Sequence, residues 1–374
     1  MNEGNTNMAK RISALDATVR ALGAEMGEWN DMAVAFGYPC DPHLEHDAIR
    51  EAVGMWDTSA LTKTHVRGPD ALAAVDYLVT RDMSKIPIGK AGYCPILKDD
   101  GHFCDDGYIF HIAEDHFLVV SSIGPARELL REYARDRNLS VEGDEDMHVI
   151  TVQGPKSLEL LDAHTGANLR DLVFCHHVNA TLFGKDMMIS RTGYSGERGY
   201  EIFMAADQVV EVWQELMDHG QPLGLLPISV AAIELVGVES GLMLYEAEAT
   251  EENTPWEVDF GWAVSRHKGD FRGKRALFEL EGKEKVKLYG IVADHDDMVD
   301  HGAELSIDGG EIVGRVTTPA YSRRLGKSLA LVHLIPSAAR EGTPLELNGP
   351  TVQCRATAAS IPFVDPGRKR LHAM

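Results

Sequence analysis

The fold is decided by one stretch, Arg191-Thr192-Gly193-Tyr194-Ser195-Gly196-Glu197-Arg198-Gly199-Tyr200-Glu201-Ile202-Phe203. Its three glycines permit tight turning and interrupt what would otherwise be one strand, because apolar residues lie on both sides. We therefore predict a β-turn-β unit in which Tyr194 and Glu201 flank the bend and face one pocket. A glutamate at the start of an apolar strand needs donors or water, and a ligand rich in N–H groups supplies such donors. The alternative interpretation of this stretch alone is a surface hairpin.

This stretch resembles the G-Y-[ST]-G-E-x-G-[YF]-E-[IV] signature of the glycine cleavage T-protein superfamily, the tetrahydrofolate-dependent aminomethyl and methyl transferases. Other landmarks of that family occur in the same order, from about residue 30 to the C-terminus. They are Met55-Trp56-Asp57-Thr58-Ser59, Gly101-His102-Phe103-Cys104-Asp105-Asp106-Gly107-Tyr108-Ile109, Val152-Gln153-Gly154-Pro155, Glu239-Ser240-Gly241-Leu242-Met243-Leu244-Tyr245, Gly261-Trp262 and Leu325-Gly326-Lys327-Ser328-Leu329-Ala330. The resemblance implies the T-protein fold and tetrahydrofolate as cofactor.

Composition narrows the possible classes of protein. A chain of 374 residues suggests two or three domains. With 36 basic and 58 acidic residues the net charge is −22, which disfavours nucleic acid as a partner because phosphate neutralisation needs clustered Lys and Arg. The absence of a long apolar run predicts no membrane segment, and the polar N-terminus predicts a cytoplasmic protein. The five cysteines are dispersed without a CxxC pair, so we expect reduced thiols.

A strand-turn-helix pattern occurs twice along the chain. A strand over residues 63–67 leads through Gly68-Pro69-Asp70 into an apolar-striped helix, with the proline in its first turn. A strand over residues 148–152 leads through Gly154-Pro155-Lys156 into a second helix. We interpret the two copies as an internal duplication of a small α+β unit.

The ends of the chain differ in pattern. Apolar residues at helical spacing predict two N-terminal helices, over residues 8–28 and 44–56. The C-terminal part instead shows short strands and glycine turns, which are typical of a β-barrel. The predicted barrel strands cover residues 287–292, 304–307, 311–318, 329–334, 344–347 and 351–356. The predicted fold class is α+β, with a T-protein-like folate-binding domain of repeated small α+β subdomains over residues 1–285 and a C-terminal β-barrel domain over residues 286–374.

Two adjacent carboxylates are the candidates for catalysis. In the family that the chain resembles, the aspartate of this motif lies beside N5 and N10 of tetrahydrofolate, so the resemblance implies Asp106 as the catalytic residue. There a carboxylate orients the nucleophilic amine and stabilises positive charge that develops on it. Neighbours on a strand point to opposite faces, so Asp105 is expected to face solvent or to lie behind Asp106 in the folate-binding set. From the residues alone, a turn aspartate that caps local N–H groups is the alternative.

The remaining candidates would bind the cofactor. The resemblance implies that Glu201 accepts hydrogen bonds from the N–H donors of the pteridine ring. It also implies that Tyr93, Tyr194 and Trp262 supply aromatic walls, although a core position is the alternative for each of them taken alone.

Several other kinds of site are disfavoured. The spacing of His43-Leu44-Glu45-His46 lacks a third metal ligand and is interpreted as a surface helix start, and His176-His177 diverge on a strand. The sequence has no phosphate loop and no GxGxxG motif, which argues against a built-in flavin or NAD domain. Oxidative demethylases with a related folate domain need that extra module. The one compact basic run, Arg368-Lys369-Arg370, is interpreted as a solvated tail.

Two features favour a small methylated donor over a carrier protein. The family usually has an Ala-Arg-Asp segment where this chain has Ala232-Ile233-Glu234. The charge of −22, with Glu246, Glu248, Glu251 and Glu252 following that segment, would slow the encounter with an acidic lipoyl carrier protein.

The predicted function is transfer of a methyl or methylene group from a small donor of ammonium, sulfonium or methoxy type to N5 of tetrahydrofolate, a demethylase reaction. One alternative is a glycine cleavage aminomethyltransferase with a lipoyl carrier protein as partner. The other is a non-catalytic folate-binding scaffold, whose Lys-Gly-Cys-Tyr-x-Gly-Gln-Glu motif this chain lacks. No metal is expected in any of these interpretations.

Overall fold

The structure is a computed structural model that describes residues 10–373. Its helices are α1 (Asp16–Ala21), α2 (Pro42–Glu51), α3 (Ala71–Leu78), α4 (Ala126–Ala134), α5 (Ser157–Asp162), α6 (Ala206–Gly220), α7 (Val230–Ser240) and α8 (Lys274–Leu280). Its strands before residue 285 are β1 (Glu25–Trp29), β2 (Met32–Gly37), β3 (Val53–Asp57), β4 (Thr62–Arg67), β5 (Ala91–Leu97), β6 (Phe103–Ala113), β7 (His116–Ser121), β8 (Ser140–Gly143), β9 (Met147–Gln153), β10 (His177–Leu182), β11 (Lys185–Ser190), β12 (Gly199–Ala205) and β13 (Leu225–Pro227). Within residues 10–373, no helix combines the length and the apolar character needed to cross a membrane.

β1 and β2 form a two-stranded sheet, and two larger sheets carry the rest of the first part of the chain. One has the order β10-β11-β12-β9-β3-β13, and the other has the order β5-β6-β7-β4-β8. The first buries the side chain of Trp213 from α6 in its core, and the second is covered by α3 and α4. The sheets meet through an apolar layer that includes Phe110, Leu118, Val149, Met188 and Phe203. Burying this layer is what fixes the gap between the sheets where the candidate residues lie.

The two predicted strand-turn-helix units have matching local geometry at their turns, and their interpretation as an internal duplication stays a prediction. Gly68 and Gly154 have φ values of 126° and 129°, and each carbonyl accepts a hydrogen bond from the N–H three residues later. An added Cβ at either glycine would lie 2.5 Å from a backbone carbonyl oxygen. Only glycine therefore fits at these two strand-to-helix turns.

The C-terminal part is a closed barrel, as predicted. Its strands are β14 (Lys287–Ala293), β15 (Glu304–Ser306), β16 (Ile312–Ser322), β17 (Lys327–Leu334), β18 (Pro344–Asn348) and β19 (Gln353–Ala359). They close in the order β14-β17-β16-β15-β18-β19, so the barrel leaves no sheet edge open. The barrel packs through β16 and β17 against α7 of the first part.

Both N-terminal helix predictions are wrong in extent. The helix predicted over residues 8–28 starts outside the described residues, and the structure has only α1 followed by β1. Gly23 ends the helical segment with a φ of 83°. The helix predicted over residues 44–56 ends at Glu51, because Val53–Asp57 pairs between β9 and β13 in the middle of a sheet. Tertiary pairing overrides the helical spacing of the apolar residues there.

Candidate functional site

The gap between the two sheets gathers most of the predicted site residues. Tyr93 lies on β5, Asp106 on β6, Glu201 on β12 and Tyr194 in the loop before β12. Tyr108, two residues after Asp106, lies among them. Burial raises the pKa of all three tyrosines, and the negative charge of Asp106 raises it further in each case. The structure thus brings two carboxylates and three phenol rings into one space.

Asp106 is held by an aromatic neighbour. The Tyr93 hydroxyl donates to its Oδ2, and the Tyr93 ring stacks on Tyr108 at 4.9 Å between centroids and contacts Phe260 at 4.7 Å. Burial raises the pKa of Asp106 to about 6, against the lowering effect of the Tyr93 hydrogen bond. Asp106 is also within β6 rather than in a turn, so the turn-aspartate alternative is wrong. A carboxylate with a pKa near neutrality can accept and return a proton.

Asp105 lies on the opposite side of β6 and is fully buried, so the expectation that it faces solvent is wrong. Its Oδ1 accepts hydrogen bonds from the backbone N–H groups of Asp106 (2.9 Å) and Ser122 (3.2 Å). Its Oδ2 has no hydrogen-bond partner within residues 10–373, and an added Cβ on Gly124 would lie 2.6 Å from its side chain. Burial, followed by the charge of Asp106, raises the pKa of Asp105 to about 7. Gly124 therefore closes this side of the strand over a carboxyl group that is costly to ionise.

Replacing Asp105 with asparagine should change the pH dependence of stability. Because its pKa is raised, the Asp105 carboxyl group lowers the free energy of unfolding by nothing below about pH 4. As pH rises from there to about 7, it destabilises the fold progressively. Asparagine keeps the accepting oxygen and removes the ionisation cost, so the variant should be more stable than the parent at pH 8 by about 2 kcal/mol. Thermal melting at pH 5 and pH 8 measures the difference, with the exposed Asp115→Asn as control. A variant less stable than the parent at pH 8 would contradict the account.

Glu201 is half-buried with little compensation for its charge. Thr192 donates its hydroxyl to Glu201 Oε2, and Ser190 lies 2.9 Å from the same hydroxyl. Burial raises the pKa of Glu201, and the Thr192 hydrogen bond lowers it. A carboxylate has about four lone-pair sites. Since Thr192 is its one side-chain donor within the described residues, the carboxylate has spare acceptor capacity for a ligand.

The loop before β12 is fixed by Gln153 at the end of β9. Gln153 Nε2 donates to the carbonyl of Thr192 (3.2 Å), and Ser195 Oγ donates to Gln153 Oε1 (2.6 Å). A Cβ added to Gly193 or Gly199 would lie 2.1 Å from the Gln153 side chain. Gly193 and Gly199 are therefore favoured by the close approach of Gln153, which explains why the two sequence landmarks occur together.

Tyr194 and Trp262 differ in position. The Tyr194 hydroxyl donates to the Leu242 carbonyl (2.9 Å), which holds the ring against the start of the segment after α7. Trp262 is 63% exposed, lies 5.2 Å from the Phe260 ring and is covered on one face by the Arg81 guanidinium at 5.5 Å. Trp262 is thus linked to the half-buried Tyr93 through Phe260 but lies at the rim of the gap.

Two residues that bear on the choice of donor, Ile233 and Glu248, are buried. Ile233, where the family usually has arginine, is buried with Ile49 in an apolar cluster that includes Tyr194. Glu248, counted with the acidic residues after this segment, is 1% exposed and accepts hydrogen bonds from Thr317 and Thr318. Burial raises the pKa of Glu248, so it is not part of an acidic surface.

Arg50 anchors the loop to two helices. Its guanidinium donates to Glu239 Oε2 (3.0 Å), Glu197 Oε1 (3.0 Å) and the Ser195 carbonyl (3.0 Å), and it is 1% exposed. His46, one turn before Arg50 on α2, contacts Glu239 at 2.8 Å. The interpretation of the segment around His46 as a surface helix start is therefore wrong at that residue, which is buried.

The C-terminal tail lies against the same loop. Arg191 donates to the carbonyls of Leu371 (3.2 Å) and Ala373 (3.0 Å), and Arg198 donates to that of Ala373 (2.7 Å). Residues 371–373 thus pack on the stretch that decides the fold. Of the basic run Arg368-Lys369-Arg370, predicted to be a solvated tail, Arg368 and Lys369 are exposed, but the prediction is wrong for Arg370, which is half-buried.

Arg370 makes this contact ionic. It donates to Glu197 at 2.7 Å and to the Arg50 carbonyl. Replacing Arg370 with methionine should lower stability by about 1–2 kcal/mol, because the buried Glu197 carboxylate would lose one of the cations that pair with it. The neighbouring Lys369→Met should change stability by no more than about 0.5 kcal/mol, since Lys369 is exposed. Equal melting temperatures for the two variants would show that the tail contact contributes nothing.

The sequence analysis missed three neighbours of the predicted site, Tyr108, Phe260 and Thr192. Tyr108 was accessible from the pattern, because a residue two positions after Asp106 faces the same side of a strand. In the sequence, Phe260 lies two residues before Trp262, and Thr192 lies next to Gly193. Only the folded structure shows that Phe260 contacts Tyr93 and that Thr192 contacts Glu201.

Comparisons with known proteins match this architecture. The GCVT N-terminal domain model matches residues 15–268, and the glycine cleavage T-protein C-terminal barrel domain model matches residues 287–365. A crystal structure of glycine cleavage system aminomethyltransferase T from Bartonella henselae has a TM-score of 0.88 at 24% identity and covers 95% of this chain and 98% of its own, which shows the shared fold.

Curated relatives extend over nearly the whole chain. The heme-dependent oxidative N-demethylase gamma subunit of Ectopseudomonas mendocina is 37% identical, over 96% of this chain and 97% of the relative. Aminomethyltransferases of Halothermothrix orenii and Bacillus subtilis are 31% and 33% identical, over 92% and 85% of this chain and 97% and 90% of theirs. Because aminomethyltransferases of this family use tetrahydrofolate, the matches confirm the prediction of a tetrahydrofolate-dependent transferase. The chain belongs to the glycine cleavage T-protein family.

Proposed function

We propose that the protein transfers a methyl or methylene group from a small methylated amine to N5 of tetrahydrofolate. The observation that carries this proposal is the pairing of the buried Asp106 carboxylate with the half-buried Glu201 carboxylate in one gap lined by tyrosine rings. Of the three donor classes predicted, the ammonium type is favoured by the relative from Ectopseudomonas mendocina, whose name is that of an N-demethylase subunit. The division into domains near residue 285 and the cytoplasmic location remain predictions.

The residues of the gap fit tetrahydrofolate. Glu201 is half-buried and has acceptor capacity that Thr192 does not fill, which suits the amino and N–H donors of a pteridine. Tyr93, Tyr108 and Tyr194 supply the flat apolar walls that a fused aromatic ring requires. Trp262, at the rim, would contact the part of the folate that extends toward solvent. Tetrahydrofolate supplies the nucleophilic nitrogen when bound.

Asp106 would manage the proton of the reaction. Its pKa of about 6 leaves it ionised at neutral pH, so it can accept the proton that the attacking nitrogen loses. The carbon–nitrogen bond of the donor ammonium breaks as the new bond forms, and its electron pair stays on the donor nitrogen, which leaves as a neutral amine. Tyr93 fixes the orientation of the carboxylate through its hydrogen bond.

A methylene group requires prior oxidation of the N-methyl carbon. The lack of a GxGxxG motif argued against a redox domain within this chain, but the relative from Ectopseudomonas mendocina is one subunit of its enzyme. The missing motif therefore does not exclude an oxidative assembly in which a separate chain oxidises the amine. We propose that such a partner, rather than a lipoyl carrier protein, supplies the carbon unit if the product is a methylene group.

The glycine cleavage aminomethyltransferase is the second candidate, and it is favoured by relatives of 31–33% identity that carry that name. Against it stand the apolar Ile233, where the family usually has arginine, and the net charge of −22. The acidic balance disfavours an acidic carrier protein through slower encounter. A non-catalytic scaffold finds no support in the named relatives.

Glu201→Gln tests the binding half of the proposal. The amide cannot accept two hydrogen bonds from adjacent N–H donors and places its own donor against them, so tetrahydrofolate affinity should fall about tenfold or more. Equilibrium titration of tetrahydrofolate measures the loss, with the surface variant Glu211→Gln as control. Undiminished affinity in Glu201→Gln would place the pteridine elsewhere and remove the basis of the proposed site.

A further inference from the structure

A second cavity lies between the sheets, at the other end of the intersheet layer from the loop before β12. It is a groove of about 660 Å³ whose walls come from β4, β7 and the far ends of β10, β11 and β12. Phe110 and Phe203 pack edge to face at 5.4 Å, both buried, and separate it from the space around Asp106 and Glu201. The groove is therefore a separate site from the one proposed for folate.

Three side chains form a hydrogen-bonded chain that ends in this groove. Asp144 Oδ2 lies 3.1 Å from His65 Nε2, and His65 Nδ1 lies 2.9 Å from His116 Nε2. All three residues line the groove. Asp144 Oδ1 accepts from the Met147 backbone N–H at 2.9 Å, which fixes the carboxylate.

The donor and acceptor of each hydrogen bond in this chain are determined by Asp144 at one end. The ionised Asp144 can only accept, so His65 must donate through Nε2 and accept at Nδ1. His116 then donates through Nε2, and its Nδ1 is left as an acceptor. Burial lowers the pKa of both histidines, that of His116 to about 4 with further lowering by the charges of Arg67 and His65. Both rings are therefore neutral at pH 7, and His116 presents a lone pair.

The rest of the lining has a consistent character. Asp146 and Asp186 add two carboxylates, and none of the lining residues is Lys or Arg. Leu118, Met188 and Phe203 give the groove an apolar floor. Negative charge, a hydrogen-bond acceptor and an apolar floor together suit a cation that carries both N–H donors and small alkyl groups.

We propose that this groove binds a small protonated organic amine, whose N–H donates to His116 and whose alkyl groups pack against Leu118, Met188 and Phe203. The carboxylate of Asp144, at the other end of the hydrogen-bonded chain, polarises this acceptor nitrogen of His116. The site requires no folate, so its occupancy is measured in the absence of folate.

NMR of protein labelled with ¹³C at the methionine methyl groups provides the assay. Four methionines line the groove: Met147, Met187, Met188 and Met204. Met83 is buried in the core of the β5-β6-β7-β4-β8 sheet and serves as the internal reference. Isobutylammonium should shift signals of the groove methionines saturably, with a Kd of about 1–10 mM, and leave Met83 unchanged. Tetramethylammonium, which lacks N–H, should bind about tenfold more weakly, and the neutral isobutyronitrile should produce no saturable shift.

Asp144→Asn tests the hydrogen-bond chain itself. The Asn oxygen keeps the Met147 N–H bond, so its NH₂ faces His65 and reverses every donor and acceptor up to His116. Isobutylammonium should then bind about tenfold or more weakly, as it should in His116→Phe, while the exposed His301→Phe should bind normally. Unchanged binding in the first two variants, equal binding of the three probes, or no saturable shift up to about 50 mM would overturn the proposal.

Discussion

Asp106→Asn is expected to lower the turnover number by about 100-fold or more, with tetrahydrofolate affinity reduced less than about threefold. Asparagine keeps the size of the side chain and an acceptor for the Tyr93 hydroxyl. It cannot take up a proton, so a loss confined to turnover is the signature of a general base. In the parent, turnover should also fall as pH drops through about 6, where the Asp106 carboxylate becomes protonated.

Single-turnover rates and folate titrations separate the two effects. Tyr93→Phe is the matched comparison, because it leaves the carboxylate and removes only the hydrogen bond that orients it. That variant should keep the acid limb of the pH profile and shift it upward, since loss of the donor raises the pKa of Asp106 further. Equal losses of turnover and folate affinity in both Asp106→Asn and Glu201→Gln would undo the division of roles between these carboxylates.

Arg50→Met is expected to destabilise the protein by about 3–5 kcal/mol. The variant leaves the carboxylates of Glu197 and Glu239, 2% and 0% exposed, without the cation that lies between them. Burial alone raises the pKa of Glu239, but the His46 hydrogen bond and the Arg50 charge together lower it to about 2. Without Arg50, Glu239 keeps side-chain contacts to His46 and Ser322 within the described residues, and neither replaces the lost guanidinium.

Thermal melting of Arg50→Met should be compared with that of Arg324→Met. Arg324 pairs with Glu51 at 3.1 Å on the surface, so its replacement should cost no more than about 1 kcal/mol. The double variant Arg50→Met with Glu197→Gln should recover part of the loss, because one of the uncompensated charges is gone. A loss in Arg50→Met no larger than that in Arg324→Met would mean that the buried ion cluster does not support the loop.

Local patterns predicted the parts of the fold that are determined locally. The alternation of apolar residues and glycine turns predicted the barrel strands, and Gly68 and Gly154 predicted the two duplicated turns. The predictions were wrong where a distant partner decides. Val53–Asp57 has helical spacing, yet it is a strand because β9, about a hundred residues later, pairs with it.

The same limit applies to the candidate site. Asp106, Glu201 and Tyr194 were identified through motifs and Tyr93 through the family resemblance, and the structure brings them into one gap. The contact of Arg370 with Glu197 spans 173 residues, and no local pattern distinguishes it from a solvated tail. Likewise, the sequence has no motif that joins His65 to Asp144. These contacts depend on how the sheets and the barrel pack, which a single sequence does not encode in any one segment.

The most direct test of the central claim is mass spectrometry of the folate products formed from ¹³C-methyl donors. The protein is incubated in ammonia-free buffer with tetrahydrofolate and, in separate reactions, methylated amine, sulfonium and methoxy donors, an N-hydroxymethyl amine at the oxidised level, and aminomethyl-loaded lipoyl carrier. Asp106→Asn gives the background rate. We predict labelled 5-methyl- or 5,10-methylene-tetrahydrofolate from an amine donor, above that background. Product from the loaded carrier alone, with none from any small donor, would contradict the account and identify the protein as a glycine cleavage aminomethyltransferase.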